Sequence, residues 1–317
     1  MKGSISQSSP QTLISKIVSF AMRLLPLAMT AAGMITSPCI PSMITDSIGA
    51  PATSELRRRG MLDLLPFRYS TASHSALRSS VSDQLGVDPE RLGSLHEIEA
   101  EEGKPPRRRR RRLIMQQQAR SNPAAMERLQ AAYDLFVCSV LAPNLALEWC
   151  SSSSDSGSLT TLAYQSMPAL RVSPPSTQAM GRRHNDAVYG HQPGQLNYWL
   201  PLSASFGDNT LWVEPTTCRS EVDNTPVPLE GDFGDCFRFY GNLDYHSTRP
   251  NNTSCTRVSL DFRIVPGAIY DDDYVGSRSD TGVQKYAVGT VKRKGFYKIA
   301  MRDSDTGEWR VKPKVVG

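Results

Sequence analysis

The feature that most constrains the fold is a change of texture near Leu159. From there to Val265, short runs rich in Val, Leu, Phe, Tyr and Trp alternate with turns of Pro, Gly, Asn and Asp. Thr161–Gln165, Ala169–Val172, Gln195–Leu200, Thr210–Val213, Cys236–Tyr240 and Arg257–Val265 are such runs. Strands of this length and spacing predict a β-sandwich or a double-sheet jelly roll. A helix precedes them. Ser121-Asn122-Pro123 reads as an N-cap with proline in the first turn. Leu129, Tyr133, Phe136, Val137, Val140 and Leu141 then share one helical face, which should pack on a sheet, and Pro143 is expected to end the helix. The fold class read from the pattern is mainly β with flanking helices.

Flanking segments are read from composition. Residues 1–60 carry no acidic residue before Asp46, are Ser-rich, and hold a short apolar stretch from Leu24 to Ile35 broken by Pro26 and Gly33. That stretch is too short to span a membrane. The reading is a leader resembling an organellar transit peptide, a secretory signal, or an untargeted tail. Localisation is then cytoplasmic or organellar. Residues 61–120 form a helical and loop extension holding the run Arg107–Arg112. Residues 121–275 form the β domain with its helix, and 276–317 form strands or a tail.

The formal net charge of +5 comes from the leader and the Arg107–Arg112 run, not from a broad face. No DNA or RNA partner is expected, because a phosphate backbone needs such a face. The arginine run reads as a solvated loop insertion in preference to a nuclear-import or RNA-binding tract. Six scattered cysteines include no CxxC, which excludes a zinc ribbon or thioredoxin-type motif and leaves free thiols. There is no Gly-x-Ser-x-Gly, P-loop or His-Glu-x-x-His. The oligomeric state has no signature in these patterns.

Chemistry concentrates at four places. His184-Asn185-Asp186 is a His-x-Asp triplet, and residues two apart on an extended segment point the same way. His246, 62 residues after His184, can supply a third donor. Two neutral imidazoles and a carboxylate on one face of an octahedron make the facial triad of non-haem Fe(II) oxygenases. Arg257 follows 11 residues after His246 and shares a strand face with Ser259, while Val258, Leu260 and Phe262 share the other. A guanidinium fork beside a hydroxyl is a carboxylate receptor, suited to the distal carboxylate of 2-oxoglutarate. His191, in Tyr189-Gly190-His191-Gln192-Pro193-Gly194, is an alternative ligand to His184 or a residue lining the entrance. Asp244 could mimic an Asp-x-His pair with His246. Glu214 is a candidate substrate contact. The sequons at Asn251–Ser254 read as a loop turn rather than a glycan site.

The ordered set Tyr164-Gln165-Ser166-Met167-Pro168, His184-Asn185-Asp186, Gly190-His191-Gln192-Pro193-Gly194-Gln195-Leu196-Asn197, Leu211-Trp212-Val213-Glu214, Arg238-Phe239-Tyr240-Gly241-Asn242, His246 and Arg257-Val258-Ser259-Leu260-Asp261-Phe262-Arg263 resembles the StrG-like proteins of streptomycin biosynthesis. Through them it resembles the phytanoyl-CoA dioxygenase branch of the Fe(II)/2-oxoglutarate oxygenases. The resemblance covers roughly residues 90–275 and implies a cupin-like double-stranded β-helix. It implies iron on His184, Asp186 and His246, and 2-oxoglutarate on Arg257 and Ser259, with Asn197 and Gln165 as helpers. It further implies O2 as oxidant and hydroxylation of a small-molecule substrate, with release of succinate and CO2. Two rivals stand beside it: a non-catalytic β-barrel binding module, and a cupin-type isomerase or epimerase that uses the metal without 2-oxoglutarate.

Overall fold

The computed structural model describes residues 50–103, 123–151, 157–216, 225–274 and 296–313. The leader before residue 50, the Arg107–Arg112 run, Ser121-Asn122, the serines 152–154, Cys39 and Cys218 lie outside them.

Among the described residues, eleven strands make two antiparallel sheets. The larger contains β1 (Leu65–Arg68), β2 (Thr161–Gln165), β3 (Ala169–Ser173), β4 (Leu196–Pro201), β7 (Asp235–Phe239), β9 (Arg257–Pro266), β10 (Tyr297–Arg302) and β11 (Trp309–Val311). Its order is β1-β7-β4-β9-β2-β10-β11, with β3 also pairing β9. The smaller sheet has the order β6-β5-β8, from β6 (Val227–Pro228), β5 (Leu211–Glu214) and β8 (Tyr245–Thr248). From β4 onward the chain winds alternately between them: β4 large, β5 and β6 small, β7 large, β8 small, β9 large. That winding is a double-stranded β-helix, the jelly roll expected from the strand pattern.

β2 and β3 run along β9 as one interrupted strand. Between the pairs Tyr164↔Ile264 and Ala169↔Asp261, the β2–β3 side takes five steps where β9 takes three. The surplus holds Pro168, which has no N–H for a ladder and is tolerated at such a bulge.

Side-chain alternation divides the large sheet into two faces. Leu196, Tyr198, Leu200, Val258, Leu260, Phe262 and Ile264 join the core beneath the helices. Tyr198 stacks on Phe262 with ring centroids 5.8 Å apart, and Tyr133 meets Phe262 edge-on at 5.1 Å. The opposite face, bearing Asn197, Trp199, Phe237, Phe239, Arg257, Ser259, Asp261 and Arg263, looks into the barrel.

The helices α1 (Pro51–Arg58), α2 (Thr71–Leu85), α3 (Leu95–Glu101), α4 (Pro123–Phe136) and α5 (Ala142–Ser151) supply the outer layer. Residues 51–60, assigned to the leader from sequence, are built into it. Leu56 is buried, Thr53 Oγ1 and the Tyr240 hydroxyl lie 2.7 Å apart, and the Arg59 guanidinium lies over the Trp149 ring at 3.9 Å.

Pro143 does not end the helix. A π-helical segment, Val137–Leu141, joins α4 to α5, and the Ala142 N–H reaches back to the Val137 carbonyl. This wider turn stands directly before the proline, where an α-helical ladder would lack a donor and meet the pyrrolidine ring. The stretch Pro123–Ser151 is apolar and long enough to cross a membrane by length and composition. Its residues Leu129, Tyr133, Phe136, Leu145 and Trp149 are buried in the common core. The four described cysteines, Cys138, Cys150, Cys236 and Cys255, are free thiols; Cys236 is buried and Cys150 exposed.

Candidate metal centre

His184 and His246 are locked together by backbone. The His184 N–H donates to the His246 carbonyl at 3.1 Å and the His246 N–H returns to the His184 carbonyl at 2.8 Å. In such an antiparallel pair the two side chains leave on the same side of the sheet, and the ring centroids lie 4.3 Å apart. Asp186 follows two residues on, with its N–H held by the Gly241 carbonyl at 2.7 Å. One donor atom from each of His184, Asp186 and His246 lies within 4.8 Å of the others. His184 Nε2 is 3.8 Å and His246 Nε2 is 3.6 Å from Asp186 Oδ1.

The remaining atoms of the three side chains are engaged in ways that suit a cation. His184 Nδ1 lies 2.7 Å from the Arg182 carbonyl and His246 Nδ1 lies 3.1 Å from the Asp244 carbonyl. A carbonyl only accepts, so each Nδ1 carries the proton and each Nε2 presents its lone pair to the cluster. Burial pushes the His246 pKa down and favours the neutral, ligating form. Burial, the largest single influence, would raise the Asp186 pKa, but the charge of Arg263 together with His191, His246 and the Asn197 hydrogen bond outweighs it and holds the carboxyl ionised, well below the usual range. Two neutral imidazoles and one carboxylate fit a divalent metal.

The barrel face of β9 continues the site. Arg257 and Ser259 are both buried, and His184, Asn197, Trp199, His246, Arg257 and Arg263 line one cavity. Ser259 is fully buried and is not itself on the cavity lining; among the described residues its hydroxyl has no hydrogen-bond partner, a costly state for a buried group. The Arg257 guanidinium faces Trp199, 5.7 Å from its ring.

The other residues singled out from sequence fall as follows. Asn197 Nδ2 donates to Asp186 Oδ2 at 2.7 Å. Gln165 donates to the Met167 carbonyl and accepts from Arg263 Nη1 at 3.5 Å. His191 stands outside the three-residue cluster, and burial lowers its pKa to about 4. Asp244 accepts from the Thr216 N–H and hydroxyl, both at 2.9 Å, and from the Tyr240 N–H, so it braces the loop before β8. Glu214 pairs with Arg183, whose guanidinium lies over the Tyr245 ring at 3.8 Å.

Three residues near the site had not been singled out from sequence. Arg263 Nη2 contacts Asp186 Oδ2 at 3.2 Å and its Nη1 contacts Asp261 Oδ1 at 2.8 Å. Asp261 is also paired with Arg171 of β3. The alternation that put Arg257 and Ser259 on one face extends to Asp261 and Arg263, and that was the available signal.

No protein-family model matches the sequence. Over 107 residues the chain is 34% identical to the streptomycin biosynthesis protein StrG of Streptomyces griseus, a stretch covering 34% of this chain and 48% of that protein. The chain thus spans about half the length of the curated relative it matches. Among solved structures it is similar to the non-heme monooxygenase ThoJ in a nickel complex, at 16% identity over 68% of this chain and 77% of that one, with a TM-score of 0.38. It is similar to the non-heme alpha ketoglutarate dependent carbocyclase SnoK from nogalamycin biosynthesis, at 12% identity over 69% and 85%, with a TM-score of 0.39. A Pseudomonas putida prolyl-4-hydroxylase matches at 14% identity over 68% and 95%, with a TM-score of 0.34. The resemblance to StrG-like proteins read from the ordered motifs therefore recurs in a curated relative.

Proposed function

We propose that the chain is an Fe(II)- and 2-oxoglutarate-dependent oxygenase that hydroxylates, or otherwise oxidises, an unactivated C–H bond of a small molecule. The observation that carries this is the donor set. His184 Nε2, His246 Nε2 and Asp186 Oδ1 converge, while the other polar atoms of the same side chains are tied to protein partners. Three protein donors leave coordination positions for reactants, unlike a closed structural site. Bound iron and 2-oxoglutarate would supply the oxidising power from O2, with succinate and CO2 as co-products.

The protein's part is binding and orientation. Arg257 and Ser259 would grip the distal carboxylate, the guanidinium by its fork and the hydroxyl by one donated bond. Trp199 and Phe239 wall the cavity and exclude water, which strengthens those charge-assisted bonds. The buried Arg257–Ser259 pair favours this reading over a cupin-type isomerase that needs no 2-oxoglutarate. The intact donor set favours it over a binding module.

Thermal protection tests the reading. 2-Oxoglutarate is expected to raise the melting temperature only when Fe(II) or Mn(II) is present, and Fe(II)-loaded protein given its substrate should release succinate. His246→Ala should abolish metal binding. Arg257→Gln should keep the metal but weaken 2-oxoglutarate by roughly 10–100-fold, the worth of a charge-assisted bond. Protection by 2-oxoglutarate without metal, or metal binding unaffected in His246→Ala, would sink the proposal.

A further inference from the structure

Asp186 is a carboxylate whose two oxygens have unequal surroundings. Oδ1 faces the two imidazoles. Oδ2 receives Asn197 Nδ2 at 2.7 Å, Arg263 Nη2 at 3.2 Å and Nε at 3.4 Å, and Gln195 Nε2 at 3.3 Å. An ionised carboxylate oxygen has about two lone-pair sites, so Oδ2 is fully committed to these donors. The donors are themselves fixed. Arg263 Nη1 is held by Asp261, which Arg171 holds in turn, and Gln195 Oε1 accepts from the Tyr297 hydroxyl at 3.2 Å.

We propose that Arg263 is a positioning residue that, with Asn197, confines Asp186 to ligation through Oδ1 alone and thereby keeps a metal position open for reactants. This rests on the reading of the site as a metal centre. Carboxylates bind metals through one oxygen or through both. With Oδ2 released, the short distance between the two oxygens of one carboxylate would let Asp186 chelate and fill a further position. About three of six octahedral positions are open beside a facial triad. A co-substrate that chelates through its 2-oxoacid end needs two of them, and O2 the last. Chelation by Asp186 would remove that last one.

The test counts open positions with Mn(II) as the probe, from the relaxation of water protons exchanging on Mn(II)-loaded protein. The wild type is expected to hold about three exchangeable waters, by the octahedral count. Arg263→Met should hold about one fewer, while Arg263→Lys, whose ammonium can still donate to Oδ2, should restore the wild-type count. That rescue distinguishes positioning from lost packing. Arg263→Leu, which offers no donor to Oδ2, carries the same expectation as the methionine variant should the latter misfold. An unchanged water count in both neutral variants overturns the proposal and leaves the metal centre standing. Wild-type protein that binds no Mn(II) overturns both.

Discussion

Gly241 is the position where one added methyl group should reach the site without touching its ligands. Its φ is not among the positive ones, so the backbone accepts alanine there without strain. The obstacle is a neighbour. A Cβ on Gly241 would stand 2.6 Å from Asn197 Cγ and 2.8 Å from its Oδ1. Both are far inside contact distance, so the buried side chain of Asn197 has to shift toward the cavity it lines. The amide must therefore leave Asp186 Oδ2. Losing a hydrogen bond to a charged group costs about 1.5–3 kcal/mol, and overpacking adds about 1–3 kcal/mol. Gly241→Ala should therefore destabilise the metal-free protein by about 2.5–6 kcal/mol and lower its melting temperature by roughly 5–24 °C. The double variant Gly241→Ala/Asn197→Ala is the sharper measurement. With the amide gone the methyl has space, so the double variant should lose no more than Asn197→Ala alone, a coupling of the two sites equal to the whole Gly241→Ala loss of about 2.5–6 kcal/mol. Differential scanning calorimetry of the four proteins gives the cycle. Additive losses would refute the reasoning, because they would mean that the glycine matters for some reason other than the room it leaves Asn197.

Phe262→Ala removes a ring stacked on Tyr198 and meeting Tyr133 edge-on, and should cost about 3–5 kcal/mol in urea unfolding while leaving residual Mn(II) affinity within about threefold, because its side chain points away from the barrel; a large drop in metal affinity at unchanged stability would contradict the division of faces. Acidification should destabilise the metal-free protein. Burial lowers the pKa of His246, and of His191 to about 4, so between about 6.5 and that value the unfolded chain binds protons that the folded chain refuses. Stability from both histidines is then lost progressively as pH falls through that window. Asp244, raised to about 6 by burial, opposes the trend as a single group. A urea midpoint that rises between pH 7 and pH 5 would show the sign to be wrong.

Much of the candidate site is legible in the sequence because its logic is local. Two-residue spacing on extended chain puts His184 and Asp186 on one side, and strand alternation pairs Arg257 with Ser259. The partners of Asp186 were harder to see. Arg263 lies on the same face by the same alternation, but a strand arginine carries no mark that it will meet a carboxylate 77 residues away. Only the register of β4 against β9, with Asn197 opposite Arg263, brings the two donors to one oxygen. The helix through Pro143 was misread because the rule against proline assumes an α-helical ladder, and a π-helical segment changes that ladder. Likewise β1 contains Pro66, which argues against a central strand; at the edge of the sheet beside β7 it is tolerated.

The mutual backbone bonds of His184 and His246 bear on the order of events in making the working protein. In a zinc finger the ion gathers its ligands, and folding waits for it. Here the two imidazoles are already paired by strand hydrogen bonds that any folded copy of the barrel contains. For the proposed metal centre, folding would then be completed first and the site charged afterwards. The ion then stabilises the chain only by mass action on a finished structure. Under the proposed function, a cavity loaded late would accept whichever suitable divalent ion the compartment offers, so supply and exchange, not the folding pathway, would set the identity of the metal.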